Sequence, residues 1–213
     1  MKVELIDSMG DDLSVVNAAR VSFSKESKEF SDKDEKLLNY LAKHNHWTPF
    51  GHCFASFRIK APIFVARQLA KHQVGLCWNE VSRRYIDNEP EFYVPVSWRK
   101  RADNVKQGSS DEKAQLMLYV QFCLDNSIPD VTRLYNRLLD SGVCPEQARM
   151  VLPQSMMTEW IWSGSLAAFA RVCKLRLDPH SQQETREVAQ HIAATMHHMF
   201  PKSWRALKNA ATD

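Results

Sequence analysis

The sequence predicts an α/β protein of the α+β kind, folded as a single compact domain over residues 1–213. Three observations carry this. Short strand-patterned segments lie in the first half of the chain, helical periodicity runs through most of the second half, and no internal repeat, low-complexity tract or Pro/Ser-rich linker divides them. With 213 residues, 44% hydrophobic and 25% charged, the chain has ample material for one core.

Residues 1–8 (KVELID) read as a strand, and Ser31-Asp32-Lys33-Asp34 as the capped start of a helix carrying Leu37, Leu38 and Leu41 at helical spacing. In HCFASFRIK, Cys53, Ala55, Phe57 and Ile59 alternate with polar residues, the pattern of a half-buried strand. Pro62 suits the first turn of a helix through PIFVARQLAKH, on which Arg67 and Lys71 would share a face. A Gly75-containing loop leads into NEVSRRY, EFYVPV reads as another strand, and residues 99–111 carry the strongest loop signal, a segment expected to be mobile. Two helices follow, DEKAQLMLYVQFCLDN and PDVTRLYNRLLDSG, the second closed by Gly142. PEQARMVLP is a helix that must break near Pro153. Beyond MMTEWIWSGS, rich in aromatic residues, come the helices SLAAFARVCKLRL and SQQETREVAQHIAATMHHMF.

Composition excludes several functions. The six glycines lie too far apart for a G-x-G-x-x-G or Walker loop, so a nucleotide would be held by another device. Five cysteines without a C-x-x-C pair argue against zinc ribbons and disulfide frameworks and predict mostly small buried thiols in a reducing compartment. His191, His197 and His198 lack partners at ligand spacing, so no metal is expected. The chain has no apolar run of about 18 residues and no signal-peptide pattern, which predicts a cytoplasmic protein with no membrane partner.

The charge is informative once located. Between Pro62 and Ile86, four cations (Arg67, Lys71, Arg83, Arg84) face one anion (Glu80), which accounts for the whole formal surplus of +3. In RQLAKHQVGLCWNEVSRRY these charges are interleaved with Trp78, Val81 and Tyr85. A solvated basic helix would account for the charge alone. A partly buried Glu among cations, however, is an ionised acceptor for a donor-rich ring or ribose, and the Arg groups can clamp phosphates bidentately. The set fits a nucleotide ligand.

The segment resembles the signature of the flavin-dependent thymidylate synthases, an Arg-His-Arg triplet, a spacer, and a Ser within Asn-Glu-x-Ser-x-Arg-Tyr. Here it stands as Lys71-His72-Gln73 and then Asn79-Glu80-Val81-Ser82-Arg83-Arg84-Tyr85. Further blocks appear in the family's order: Ala19-Arg20-Val21-Ser22-Phe23, His46-Trp47-Thr48-Pro49-Phe50, Ala61 to Gln68, Ala148 to Pro153, and Leu175-Arg176-Leu177-Asp178. Lys71 and Gln73 replace two arginines, the spacer is one residue longer, Gly51 stands where many relatives have Glu, and Ser165 and Ala167 fall where Asn-x-Arg is common. The resemblance is therefore to a divergent branch.

It implies a central, largely antiparallel sheet flanked by helices. It also implies reductive methylation of dUMP to dTMP, with 5,10-methylenetetrahydrofolate as carbon donor, FAD as hydride carrier and NADPH as reductant. Carried over residue by residue, Arg176 polarises the uracil. FAD falls to Ser22, Thr48, Lys71, His72, Gln73, Asn79, Glu80, Ser165 and Arg171. dUMP falls to Gln68, Lys71, Glu80, Val81, Ser82, Arg83, Arg84, Arg149 and Arg176, and folate to His46. Cys77 lies inside the signature, where a thiolate attacking C6 of uracil must be considered. The resemblance implies hydride delivery without an enzyme nucleophile, leaving Cys77 as a packing residue.

Two competing readings stand beside this one: flavin-dependent transfer of a different one-carbon unit, such as hydroxymethyl, to a pyrimidine nucleotide, and a nucleic-acid-binding module stacking bases on Trp78 and Tyr85. The neutral remainder of the chain argues against nucleic acid as a partner. A chain of this length has little room to enclose FAD, a nucleotide and a folate, so a homotetramer with sites between subunits is expected, as the family implies.

Overall fold

The computed structural model describes residues 1–103 and 108–210. Its framework is a sheet of four strands, β1 (Lys2–Met9), β2 (Phe54–Pro62), β3 (Leu76–Glu80) and β6 (Met157–Ser165). They lie in the order β1-β2-β6-β3, and every neighbouring pair is antiparallel. The sheet implied by the family resemblance is therefore present. The longest pairing, β2 with β6, runs from Phe54↔Ser165 to Pro62↔Met157.

The alternation in β2 places Ala55, Phe57, Ile59 and Ala61 on the buried face, and Trp160 and Trp162 of β6 join them. Each large apolar side chain fully buried there contributes about 1.5–3 kcal/mol. Helices α1 (Asp12–Arg20), α2 (Asp32–Lys43), α6 (Leu166–Arg176), α7 (Gln183–Met199) and α8 (Pro201–Asn209) share this core through Val15, Leu38, Phe169, Ile192 and Trp204. Phe169 meets both Phe57 and Trp162 edge to face.

The start of α2 follows from its sequence: Ser31 and Asp34 form a reciprocal capping box. Asp34 is buried, yet its carboxyl is held down at about 2, because bonds from Ser31, Arg20 and Ser27 outweigh the cost of burial. The same carboxylate thereby fixes the end of α1 just ahead of Ser22.

Several expectations are corrected. Helix α3 (Ile63–Leu69) stops before Lys71, so Arg67 and Lys71 do not share a helical face. Strand β3 occupies Leu76–Glu80, where a loop was expected; its residues alternate only partly in burial and carry the charged signature, which masks the strand pattern. EFYVPV is not a strand. It makes a single bridge, Phe92↔Met156, and Pro90 and Pro95 remove donors that a ladder needs. Much of the expected loop at 99–111 is a ribbon of β4 (Arg99–Arg101) and β5 (Ser109–Lys113) clasped by a Lys100–Glu112 ion pair at 2.6 Å. Residues 104–107 of that segment lie outside the described residues.

The two helices expected around Pro129 form one, α4 (Leu118–Asp140), which begins several residues later than the sequence suggests. Asn126 and Ser127 side chains donate to carbonyls of the turn before Pro129, at 2.8 Å each. Gly142, at φ +83°, ends α4 with bonds from Gly142 N–H and Val143 N–H to the carbonyls of Leu139 and Leu138. Helix α5 (Pro145–Ala148) and a 3₁₀ turn at Arg149–Val151 lead back to β6.

Candidate functional site

The sequence-predicted residues gather in three places. The first surrounds Arg176 at the end of α6, in a cavity of about 810 Å³ lined by Gln68, Arg99, Ser109, Asp178, His180 and Gln182 with Arg176 itself. Arg176 donates through Nε to His72 Nε2 at 2.9 Å and through Nη2 to the Gln68 carbonyl at 3.1 Å. An imidazole nitrogen accepts only when unprotonated, so His72 is neutral and carries its proton on Nδ1. Burial, followed by the Arg176 charge, pushes the His72 pKa below the ordinary imidazole value. Burial likewise lowers that of Arg176, whose guanidinium nevertheless remains a fixed cation. Three of its five N–H donors make no bond among the described residues, leaving them for a ligand in the cavity.

Gln68 is held at both ends. Its Nε2 donates to Gln182 Oε1, and its Oε1 accepts from Thr185 Oγ1 at 3.1 Å.

The second place is the segment after β3. Glu80 is exposed rather than partly buried, and its partners are not the neighbouring cations: Thr158 Oγ1 donates to one oxygen at 2.7 Å and Trp78 Nε1 to the other at 3.1 Å. Trp78 is itself stacked on buried Trp160, with centroids 4.5 Å apart. Val81 continues the sheet through its N–H to the Glu159 carbonyl. Ser82 then starts a turn in which its hydroxyl accepts from Arg84 Nε at 3.2 Å. Arg83 donates to the Asn88 carbonyl, 5.9 Å above the Tyr135 ring. Glu80, Val81, Arg83 and Arg149 line a cavity of about 440 Å³. That cavity and the Arg176 cavity share no lining residue.

The third place lies around α6 and the turns packed on it. Arg171 donates to the Val74 carbonyl at 2.8 Å. Ser165 is buried as the N-cap of α6, accepting from Ala168 N–H at 3.2 Å. Gly75, at φ +74°, adopts a left-handed conformation that a side chain strains, and a Cβ there would sit tightly, 3.3 Å from Ala168 Cβ. Thr48, itself exposed, heads the 3₁₀ turn Pro49–Gly51, its carbonyl accepting from Gly51 N–H, and this turn packs on α6 with Phe50 buried. Ser22 lies exposed in the 3₁₀ turn Val21–Phe23, and Lys71, Gln73 and Asn79 are also exposed. His46 stands in an aromatic cluster with Tyr40 and His44, ring centroids 6.0 and 6.3 Å away.

Of the five thiols, only Cys53 and Cys173 are buried, with pKa values pushed up to about 12 by desolvation. Cys77 is exposed on β3 and is not a packing residue in this chain. Sequence reasoning did not find Arg99, Ser109, Gln182 or Thr158. Gln182 follows Leu175-Arg176-Leu177-Asp178 closely enough to have been found by extending that block. Arg99 and Thr158 carry no local signal.

The site thus belongs to an α+β protein with an antiparallel sheet, helices on its buried face, and arginines lining two separate cavities. A family model described as thymidylate synthase complementing protein matches residues 4–202. A flavin-dependent thymidylate synthase of Thermosipho africanus is 38% identical over 205 residues, covering 96% of this chain and 89% of that protein. One from Thermus thermophilus is 40% identical over 211 residues, covering 97% and 75%. Among solved structures, the UMP/dUMP methylase PolB of Streptomyces cacaoi bound with 5-Br dUMP has a TM-score of 0.84 at 31% identity, with 98% of this chain and 94% of that one covered. The chain belongs to the family of flavin-dependent thymidylate synthases. No helix among the described residues is long and apolar enough to cross a membrane.

Proposed function

We propose that the chain acts in the cytoplasm as one catalytic domain that converts dUMP to dTMP by reductive methylation, with 5,10-methylenetetrahydrofolate as carbon donor and NADPH as reductant. The observation that carries this is the Arg176 guanidinium, oriented by His72 and Gln68 at a cavity wall with three donors unspent. C5 of uracil is a poor nucleophile. It improves when negative charge developing along N3 and O4 is stabilised, and a fixed cation with paired donors suits that task. The bond to His72 keeps the fork from turning away.

Arg84 and Arg149, with the Ser82 hydroxyl, supply the cations and donor for the nucleotide phosphate, and Glu80 the acceptor for its sugar. Arg171, exposed Lys71 and the 71–75 turn offer donors suited to a diphosphate, and Thr48 and His46 stand beside exposed Trp47, a face suited to a flat ring. This donor set fits FAD, which when bound carries hydride to the transferred carbon. The buried Ser165 hydroxyl serves by fixing the start of α6 beside that set.

Arg176 and Arg149 open onto separate cavities of one chain, which supports a homotetramer whose sites combine residues from different subunits. An apolar cavity of about 910 Å³, lined by Val94, Val96, Trp98, Leu118 and Leu124, adds a large uncovered surface for such association.

The visible spectrum of the purified protein tests the reading. A flavin spectrum bleached by NADPH and restored by dUMP with methylenetetrahydrofolate is expected, with product heavier than dUMP by one methylene. A colourless protein that cannot be reconstituted with FAD overturns it, and a hydroxymethyl product mass reassigns the transferred unit.

A further inference from the structure

One wall of the Arg176 cavity comes from the β4–β5 ribbon, through Arg99, Gly108 and Ser109. Arg99 is committed elsewhere. Its Nη2 lies 3.0 and 3.1 Å from the two carboxylate oxygens of Glu184, and its Nε donates to Ser109 Oγ at 2.8 Å. Both members of the ion pair are withdrawn from solvent, the side chains being 19% and 5% exposed. Tyr93 adds its hydroxyl to Glu184 at 3.4 Å. Gly108, at φ +99°, brings the start of β5 against the turn that follows Arg176: a Cβ there would lie 3.6 Å from the His180 carbonyl.

Glu184 stands in the first turn of α7, where a carboxylate is favoured by the helix dipole. Its neighbours Gln182 and Thr185 are the two residues that grip Gln68, and the Gln68 carbonyl in turn accepts from Arg176. The start of α7 therefore fixes opposite walls of one cavity. A surface pair would be weak, but removing one partner of a buried pair strands the other charge.

We propose that Glu184 is a positioning residue: by holding Arg99 it keeps the β4–β5 ribbon against the Arg176 cavity, and so sets affinity for the anionic nucleotide without touching it. The affinity part rests on the dUMP reading above; the anchoring of the ribbon does not.

The test compares limited trypsin digestion and steady-state kinetics of the FAD-loaded wild type with Glu184→Gln, Glu184→Asp, Arg99→Met and the double variant Arg99→Met/Glu184→Met. Cleavage within the β4–β5 ribbon, after Lys100, Arg101 or Lys113, accelerates about tenfold in Glu184→Gln while cleavage outside the ribbon is unchanged, as expected when a charge-assisted bond is lost. The KM for dUMP rises about tenfold and kcat stays within about twofold, the signature of lost uniform binding. Glu184→Asp restores part of both. The double variant buries no charge, so it remains folded, and it matches Arg99→Met rather than adding to it. Unchanged cleavage within the ribbon in every variant overturns the proposal, as does a loss of kcat and thermal stability together with KM unmoved. If the wild type fails to turn over dUMP, the functional reading falls, and the digestion alone decides the anchoring.

Discussion

The surroundings of Arg176 and the segment after β3 carry the same kind of side chain in opposite states. Arg176 is half-buried, bonded to His72 and to the Gln68 backbone, and Gln68 is gripped by α7. Arg84 is exposed, its side chain bonded among the described residues only to the nearby Ser82 hydroxyl and lying 4.9 Å from the Tyr85 ring centroid. A donor already oriented can stabilise charge that appears during reaction without reorganising. A donor held only by its own turn suits capture of an anion that arrives with its charge complete. On the function proposed above, the contrast fits chemistry at the first region and binding at the second.

The largest effect is expected at the preorganised region. Arg176→Lys keeps a charge but loses the fork and its bond to His72, and kcat should fall by about 100- to 1,000-fold in a single-turnover assay. Arg84→Ala and Arg149→Ala should instead raise the KM for dUMP by about 10- to 100-fold, the range of one charge-assisted bond, with kcat largely retained. Equal loss of kcat at both regions would erase the contrast.

A smaller effect is expected with pH. The folded pKa of His72 lies below its unfolded value, so the neutral form and its bond to Arg176 are complete above the ordinary imidazole value. That contribution is lost as pH falls through the folded pKa, where protonated His72 confronts Arg176. Turnover should therefore show an acid limb below the ordinary imidazole range, and His72→Gln, which keeps an acceptor that does not titrate, should flatten it. The smallest effect is at Cys77. It is exposed on β3, and if methylation proceeds by hydride delivery without an enzyme nucleophile, Cys77→Ser should change turnover by less than about twofold, within the range of a surface substitution.

Much of this contrast was legible in the sequence. The alternation of Cys53 to Ile59 located β2, Ser31 and Asp34 located the start of α2, and the family blocks located the arginines, Arg84 in the signature and Arg149 and Arg176 in later blocks, because each is written in neighbouring residues. Strand β3 was not legible: its five residues include the polar signature, and its partner β6 is about 80 residues away in sequence. The β4–β5 ribbon was hidden for a related reason, since charged cross-strand pairs leave no hydrophobic period. Nor was the state of Glu80, whose Thr158 partner arrives from β6. The chain order placed Gln68, His72 and Arg176 in different blocks, and only the fold shows them bonded to one another.

The assembly proposed above has each working site draw its preorganised arginine and its capturing arginines from different subunits. Mixing Arg176→Ala protein with the double variant Arg84→Ala/Arg149→Ala, under conditions that exchange subunits, tests it directly. The readout is dTMP formation at a dUMP concentration too low for either parent to turn over. The account predicts recovery of activity in about a quarter of the sites, as random pairing of independent chains in a symmetric oligomer requires. If mixed oligomers form and stay as inactive as their parents, both arginine groups act within one chain, and the claim is wrong.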